Sequence, residues 1–237
     1  MAERKRVLVT GSAKRIGRGI AIKLFERGFS VAIHYDHSER EAAEVSHLCG
    51  GAPLFRADLS RVDEIRRLFA EVRERYGLLD ALVNNAARFT RFNPLDITED
   101  DWDFIHSVNL KATFFCCQEG ARMMNELGAG PIVNISSLGG IRRWAAQVHY
   151  CASKAGVIMM TKALAKALAP RITVNSVAPG VISFNDVDAR VQKMIDDTPM
   201  QKSGTASDIA EAVHFFLTAP DFITGQVIAV DGGLSQR

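Results

Sequence analysis

The sequence predicts an α/β fold: one doubly wound domain in which a parallel sheet of about seven strands carries helices on both faces. Three observations predict it. Short, near-continuous apolar runs alternate along the chain with longer stretches whose apolar residues recur at helical spacing. Runs of that kind fit strands buried on both faces, as in parallel sheets. The first run ends in a glycine-containing turn that opens directly into a helical stretch.

Taken in order, Val7-Leu8-Val9 is the first strand, closed by Thr10-Gly11, and residues 16–25 carry the helical spacing up to Gly28. Val31-Ala32-Ile33 is the second strand. Ser38-Glu39-Arg40-Glu41 then reads as a capping box opening a helix that ends near Gly50-Gly51. After the strand at Leu54-Phe55, Ser60 as N-cap with Asp63 at N3 opens a helix to Tyr76-Gly77. Residues 79–83 form the fourth strand. Thr98 starts a helix whose Asp100 and Asp101 oppose the positive end of its dipole, and the pattern continues through Val108-Asn109-Leu110 to about Leu127-Gly128. A strand at 132–135, a helix at 150–168, a strand at 172–177, a helix at 206–217 and a strand at 227–230 complete the chain. Residues 88–97 and 181–203 are the least regular. In a doubly wound sheet such segments border the site at the carboxyl ends of the strands.

The length of 237 residues suits one such domain, and no repeat, low-complexity segment or composition shift marks a linker, so residues 1–237 are read as a single domain. Hydrophobic residues are 47%, charged residues 24% and the net charge is +2 with scattered Lys and Arg, which implies neither a nucleic-acid nor a membrane-surface partner. Cys49, Cys116, Cys117 and Cys151 have no paired metal-ligand spacing and suggest no disulfide framework; they read as reduced thiols of a cytoplasmic protein. Residues 2–6 pass into the first strand without the apolar segment of a signal peptide, and no apolar run reaches the roughly 20 residues that cross a bilayer.

The chemistry centres on Tyr150-Cys151-Ala152-Ser153-Lys154. Residues four apart share a helix face, so the Tyr150 phenol and Lys154 ammonium project together, and a cation there favours phenolate and suits sugar hydroxyls. Such a pair alone also fits a solvated helix. Ser136-Ser137, however, follows an apolar run, with Ser137 thirteen positions before Tyr150. In that spacing the chain resembles the short-chain dehydrogenase/reductase family, whose fold is the Rossmann fold. The resemblance extends over essentially the whole chain, through several motifs in the family's order.

The resemblance implies a dinucleotide site. In Thr10-Gly11-Ser12-Ala13-Lys14-Arg15-Ile16-Gly17 the turn would present backbone N–H groups to a pyrophosphate at a helix N-terminus, with Gly11, Lys14, Arg15, Ile16 and Gly17 as cofactor residues. Arg15 replaces the family's middle glycine, which raises the question of backbone strain; Lys-Arg-Ile-Gly here is similar to the pteridine reductase branch. The family register puts Tyr35 at the position that discriminates NAD from NADP. Lys14, Arg15, His37 and Ser38 would then receive a 2′-phosphate, while Asp36 would repel it if it points inward; NADP(H) is favoured over NAD(H). Asp58-Leu59 resembles the family's adenine contact, with an N-cap role for the Asp as the competing reading. Asn84-Asn85-Ala86-Ala87 matches a family motif, and Asn85 and Ala86 are read as structure beside the cofactor. Pro179 and Gly180, in Ala178-Pro179-Gly180-Val181-Ile182, would bend the chain round the nicotinamide, with the Ile182 backbone facing the carboxamide. The family's threonine falls on Phe184, and Ser183 is the available substitute.

By the same resemblance the catalytic set is Asn109, Ser137, Tyr150 and Lys154. Tyr150 would act as general acid, its pKa of about 10 lowered by Lys154, which would also hold the nicotinamide ribose. Ser137 would stabilise the developing oxyanion. Asn109 would hold a water that relays protons to the lysine, although an Asn within a helix can instead cap or pack. Trp144 and Gln147 would line the substrate pocket; Arg142 and Arg143 read as solvated in preference to anion-binding. His47, His106, His149 and His214 form no cluster, and no metal site is expected.

The expected activity is an NADP(H)-dependent reduction of a ketone, a 3-oxoacyl thioester or similar small carbonyl compound, to a secondary alcohol. Pteridine reductase is the alternative, against which Ser137 counts because those reductases have Asp there. A non-catalytic nucleotide-binding sensor or scaffold is the alternative from another class. The family also implies a homotetramer.

Overall fold

A computed structural model describes residues 4–184 and 187–236. Seven strands form one fully parallel sheet in the order β3-β2-β1-β4-β5-β6-β7. They are β1 (Arg6–Val9), β2 (Ser30–Tyr35), β3 (Leu54–Arg56), β4 (Ala81–Asn84), β5 (Gly130–Ile135), β6 (Ile172–Pro179) and β7 (Val227–Val230). The helices are α1 (Arg15–Glu26), α2 (Glu39–Leu48), α3 (Val62–Tyr76), α4 (Glu99–His106), α5 (Thr113–Leu127), α6 (Val148–Leu168), α7 (Ala189–Asp196) and α8 (Ala206–Thr218).

Alternation along the strands divides the core. Val7, Val9, Val31, Ile33 and Tyr35 pack with residues of α1, α2 and α8. Leu8, Ala32, Phe55 and Leu82 pack on the other face with residues of α3 and α5. Both faces being covered explains why the strands read as apolar runs. The order reverses between β1 and β4, which places a crevice at their carboxyl ends.

Four expectations are corrected. Ser60 is not the N-cap of α3: the helix begins after Arg61, and the Ser60 hydroxyl donates to Asp58 at 2.7 Å. Ser38 occupies the N-cap of α2 without a side-chain capping bond, and the Glu41 carboxylate that would complete the box pairs instead with Lys14 at 3.0 Å. The helix read from Thr98 to Leu127 contains a π-helical segment, Ser107–Ala112, between α4 and α5. Its start is as expected, with a reciprocal Thr98–Asp101 capping box. The 181–203 stretch, read as irregular, contains α7, capped by Asp188; residues 185 and 186 lie outside the described residues.

Candidate active site

The crevice at the switch point is a cleft of about 440 Å³. Gly11, Lys14, Arg15, Ile16 and Gly17 line one end, with Asp58, Leu59, Asn85 and Ala86; Tyr150, Phe89 and Phe184 also line it.

The glycine turn is built by tight approach. Gly11 has φ +62°, and a Cβ on it would lie 2.9 Å from the Ala86 Cα; on Gly17 it would lie 2.2 Å from the Gly11 carbonyl oxygen. Arg15 has φ +51°, so the residue that replaces the family's glycine does adopt the left-handed conformation. Asn85 secures the turn by donating from Nδ2 to the Thr10 and Gly11 carbonyls at 2.9 and 3.0 Å. It is a strut under the loop, where the motif alone suggested an amide serving the sheet core.

Family register puts Tyr35 at the discriminating position, but alternation puts it in the core beside Ile33. His34 and Asp36 instead line the cleft. His34 Nδ1 accepts from the Gly11 N–H at 3.0 Å, and Nε2 lies 3.1 Å from the Ala57 carbonyl. Burial pushes its imidazole down to about 4, so it is neutral at ordinary pH. His37 is outside the cleft lining, with Nε2 3.3 Å from the Asp36 carboxylate. Ser38 stays at the head of α2. Asp58 lies 3.8 Å from the Arg88 guanidinium. Burial raises the Asp58 pKa, but bonds from Ser60 and the Arg88 and His37 charges bring it below the usual carboxylate range.

At the other end, the chain after β5 carries Ser137 and α6 carries Tyr150 and Lys154; of the expected catalytic set only Tyr150 is in the cleft lining, with Asn109, Ser137 and Lys154 outside it. Burial pushes the Tyr150 phenol up to about 12, opposed by the nearby Ser137 hydroxyl. This is opposite to the direction that Tyr-x-x-x-Lys spacing alone predicts. The reason is visible in Lys154, whose Nζ donates to the Ile135 carbonyl at 2.8 Å and whose pKa burial lowers to about 8. Asn109 sits in the π-helical segment with its amide engaged: Oδ1 accepts from the Arg88 N–H at 2.8 Å, and Nδ2 donates to the Arg88 carbonyl at 3.0 Å and to Ser153 Oγ at 3.1 Å. Lys154 is not among these partners. Trp144 stacks parallel to Tyr150 at 6.3 Å. Arg142 donates to the Leu234 carbonyl, the solvated reading being replaced by a tie to the C-terminal segment.

Pro179 ends β6, and Gly180 passes so close to Asp231 that a Cβ would meet its Cα at 2.6 Å. Ile182 pairs with Gly204 in an isolated bridge and packs against the core; Pro179, Gly180 and Ile182 lie behind the cleft lining. His34, Ala57, Ala87 and Val108 line the cleft without having been expected there, whereas Arg88 and Phe89 belong to the 88–97 segment expected to border the site. Period-two alternation in β2 was the signal for His34; the others arrive through tertiary packing.

The residues present fit a dinucleotide. A glycine turn too tight for side chains feeds the first turn of α1 into the cleft, a setting made for phosphate groups, and the cleft runs from there to the Tyr150 phenol. Fold and cleft together define a nicotinamide-dinucleotide oxidoreductase. Comparison with known proteins narrows the class: residues 11–235 match the family model described as enoyl-(acyl carrier protein) reductase, and the chain belongs to the short-chain dehydrogenase/reductase family. It is 39% identical to the 3-oxoacyl-[acyl-carrier-protein] reductase of Staphylococcus aureus strain Mu50, covering 97% of this chain and 98% of that one. A 3-oxoacyl-[acyl-carrier-protein] reductase of Synechocystis is 33% identical, with 96% and 95% covered. A solved structure of gluconate 5-dehydrogenase from Burkholderia cenocepacia, in complex with NADP and tartrate, matches with a TM-score of 0.93 at 31% identity, covering 100% of this chain and 97% of that one. Among the described residues no helix is long and apolar enough to cross a membrane.

Proposed function

We propose that the protein is an NADP(H)-dependent reductase of 3-oxoacyl thioesters or similar β-carbonyl compounds, with Tyr150 as general acid. What supports this reading is the Tyr150 phenol, which lines the cleft that begins at the glycine turn, with burial holding it protonated and the Ser137 hydroxyl close to it as a second donor. Two hydroxyls together suit one oxygen atom that gains negative charge, which is what a ketone oxygen does on reduction. A reduced nicotinamide, when bound, supplies the hydride. Tyr150 then transfers its proton to the substrate oxygen while Ser137 donates a hydrogen bond to it, and Lys154 holds ribose hydroxyls and passes a proton to the phenolate, regaining one from solvent. Asn109 serves by fixing Arg88 and Ser153 around this set.

Ser137 in place of an acid disfavours a pterin as substrate. The similar 3-oxoacyl reductases support the thioester, and the NADP in the gluconate dehydrogenase complex supports NADP(H). Exposed Lys14 and Arg15 on the cleft supply cations for a 2′-phosphate, with the Asp36 carboxylate opposing them. The homotetramer implied by the family would use the faces of α5 and α6 where Phe114 and Met159 are exposed; a monomer by sedimentation would remove that reading.

Tyr150→Phe tests the function. It should lower ketone reduction by about 10²–10⁴-fold and leave NADPH binding, followed by fluorescence titration, unchanged. Undiminished turnover would show that Tyr150 is not the acid, and binding without turnover in the wild type on any carbonyl would favour the sensor.

A further inference from the structure

Beside the set assigned above, one buried titratable side chain stands next to the cleft. His149 precedes Tyr150 in α6 and is fully buried. Its Nε2 lies 2.7 Å from Thr90 Oγ1, while its buried Nδ1 has no hydrogen-bond partner. A bare acceptor is more tolerable in the interior than a bare N–H, so Nε2 carries the proton and donates to Thr90. Burial lowers the imidazole pKa, with Asp101 of α4 opposing and His106 adding to the effect, so the ring is neutral near pH 7.

Thr90 belongs to an irregular stretch, residues 85–93, that passes over the catalytic tyrosine. Among the attachments of that stretch, three bear on Phe89. Asn109 grips both backbone groups of Arg88. His149 holds Thr90. The Phe92 N–H donates to the Ala146 carbonyl at 3.1 Å, and the Phe92 ring lies 5.8 Å from the His149 ring. Between the first two fasteners Phe89 sets its edge on the Tyr150 ring, with centroids 4.8 Å apart and planes at 82°. Phe89 is 57% exposed, so little besides its neighbours' attachments fixes it there.

We propose that His149 is a positioning residue: through Thr90 it holds Phe89 against Tyr150 and thereby forms the wall against which the carbonyl substrate is oriented. The kinetic part rests on the function proposed above; the structural part does not. His149 touches neither the glycine turn nor Asp58, so its effect is confined to the substrate end of the cleft.

The test compares Thr90→Val, His149→Phe, their combination, and His149→Gln, which keeps an N–H donor. Either single loss of the hydrogen bond should raise hydrogen exchange at the Phe92 amide by about tenfold and lower kcat/KM for the ketone by a similar factor, as expected for one hydrogen bond. The dissociation constant for NADPH should stay unchanged. The combined variant should be no worse than either single one, because both remove the same bond, and His149→Gln should recover most of the loss. Unchanged exchange in both single variants would overturn the proposal, as would additive effects or an equal loss of cofactor affinity. A wild type that reduces no ketone would sink the proposed function alone, since the exchange measurement would still decide whether His149 holds the stretch.

Discussion

Burial acts on Tyr150 and Lys154 in opposite senses, because it disfavours the charged form of each. The phenol is carried up to about 12 and the ammonium down to about 8. A general acid that is protonated at working pH suits the reducing direction, and the group that titrates is then the lysine. Ketone reduction should fall as pH rises through about 8, with Tyr150 remaining an acid beyond that. The kcat/KM profile of the free enzyme reads this out, and a limb near 10.5 or none would contradict it. The same shift bears on stability. Between about 8 and the ordinary 10.5 the unfolded chain carries the Lys154 proton and the folded chain does not. Stability from this group therefore rises with pH across that window, and Lys154→Met should flatten the rise in denaturant titrations. The spacing of Ser137, Tyr150 and Lys154 made the set legible in the sequence. The pKa directions were not, since they depend on how deeply the fold buries Lys154 against the Ile135 carbonyl.

The glycine turn and α1 form the element whose sequence is most constrained by backbone. A methyl on Gly17 would fall 2.2 Å from the Gly11 carbonyl oxygen and 2.5 Å from Asn85 Nδ2. Gly17→Ala should cost about 1–3 kcal/mol of stability, as overpacking does, and weaken cofactor binding; wild-type values for both would contradict the assignment of the turn. Arg15 poses the reverse case. Its left-handed φ costs about 1–2 kcal/mol, whereas glycine costs roughly 0.5–1 kcal/mol in chain entropy. Arg15→Gly should therefore leave stability within about 1 kcal/mol while raising KM for NADPH relative to NADH. An unchanged cofactor ratio would remove Arg15 from the 2′-phosphate site. At this scale the strands were legible because both of their faces are apolar. Helix α7 was not, because its eight residues bury nothing, and the π-helical segment was not, because its apolar positions continue the helical pattern. Thr98 caps α4 as its sequence suggests, while Ser38 makes no side-chain cap on α2 and the Glu41 carboxylate turns to Lys14 of a different element.

For the whole molecule, the strand order brings β1, β2, β4 and β5 side by side, so that residues from Gly11 to Lys154 meet at the carboxyl ends of four strands. Strands alternating with helically spaced stretches were enough to infer the parallel sheet and to expect residues 88–97 beside the site, while the strand order that fixes the switch point came only with the fold. Where the inferred cleft differs from the observed one, tertiary packing is responsible: the register of β2 turns Tyr35 into the core and His34 and Asp36 toward the cofactor end. The measurement that bears most directly on the account is NADPH oxidation with a 3-oxoacyl thioester, run with the wild type and Tyr150→Phe at equal concentration. The account predicts turnover by the wild type and its near-complete loss in the variant, with NADPH binding retained by both. Equal turnover by the two proteins, or reduction of a pterin in preference to the thioester, would contradict it.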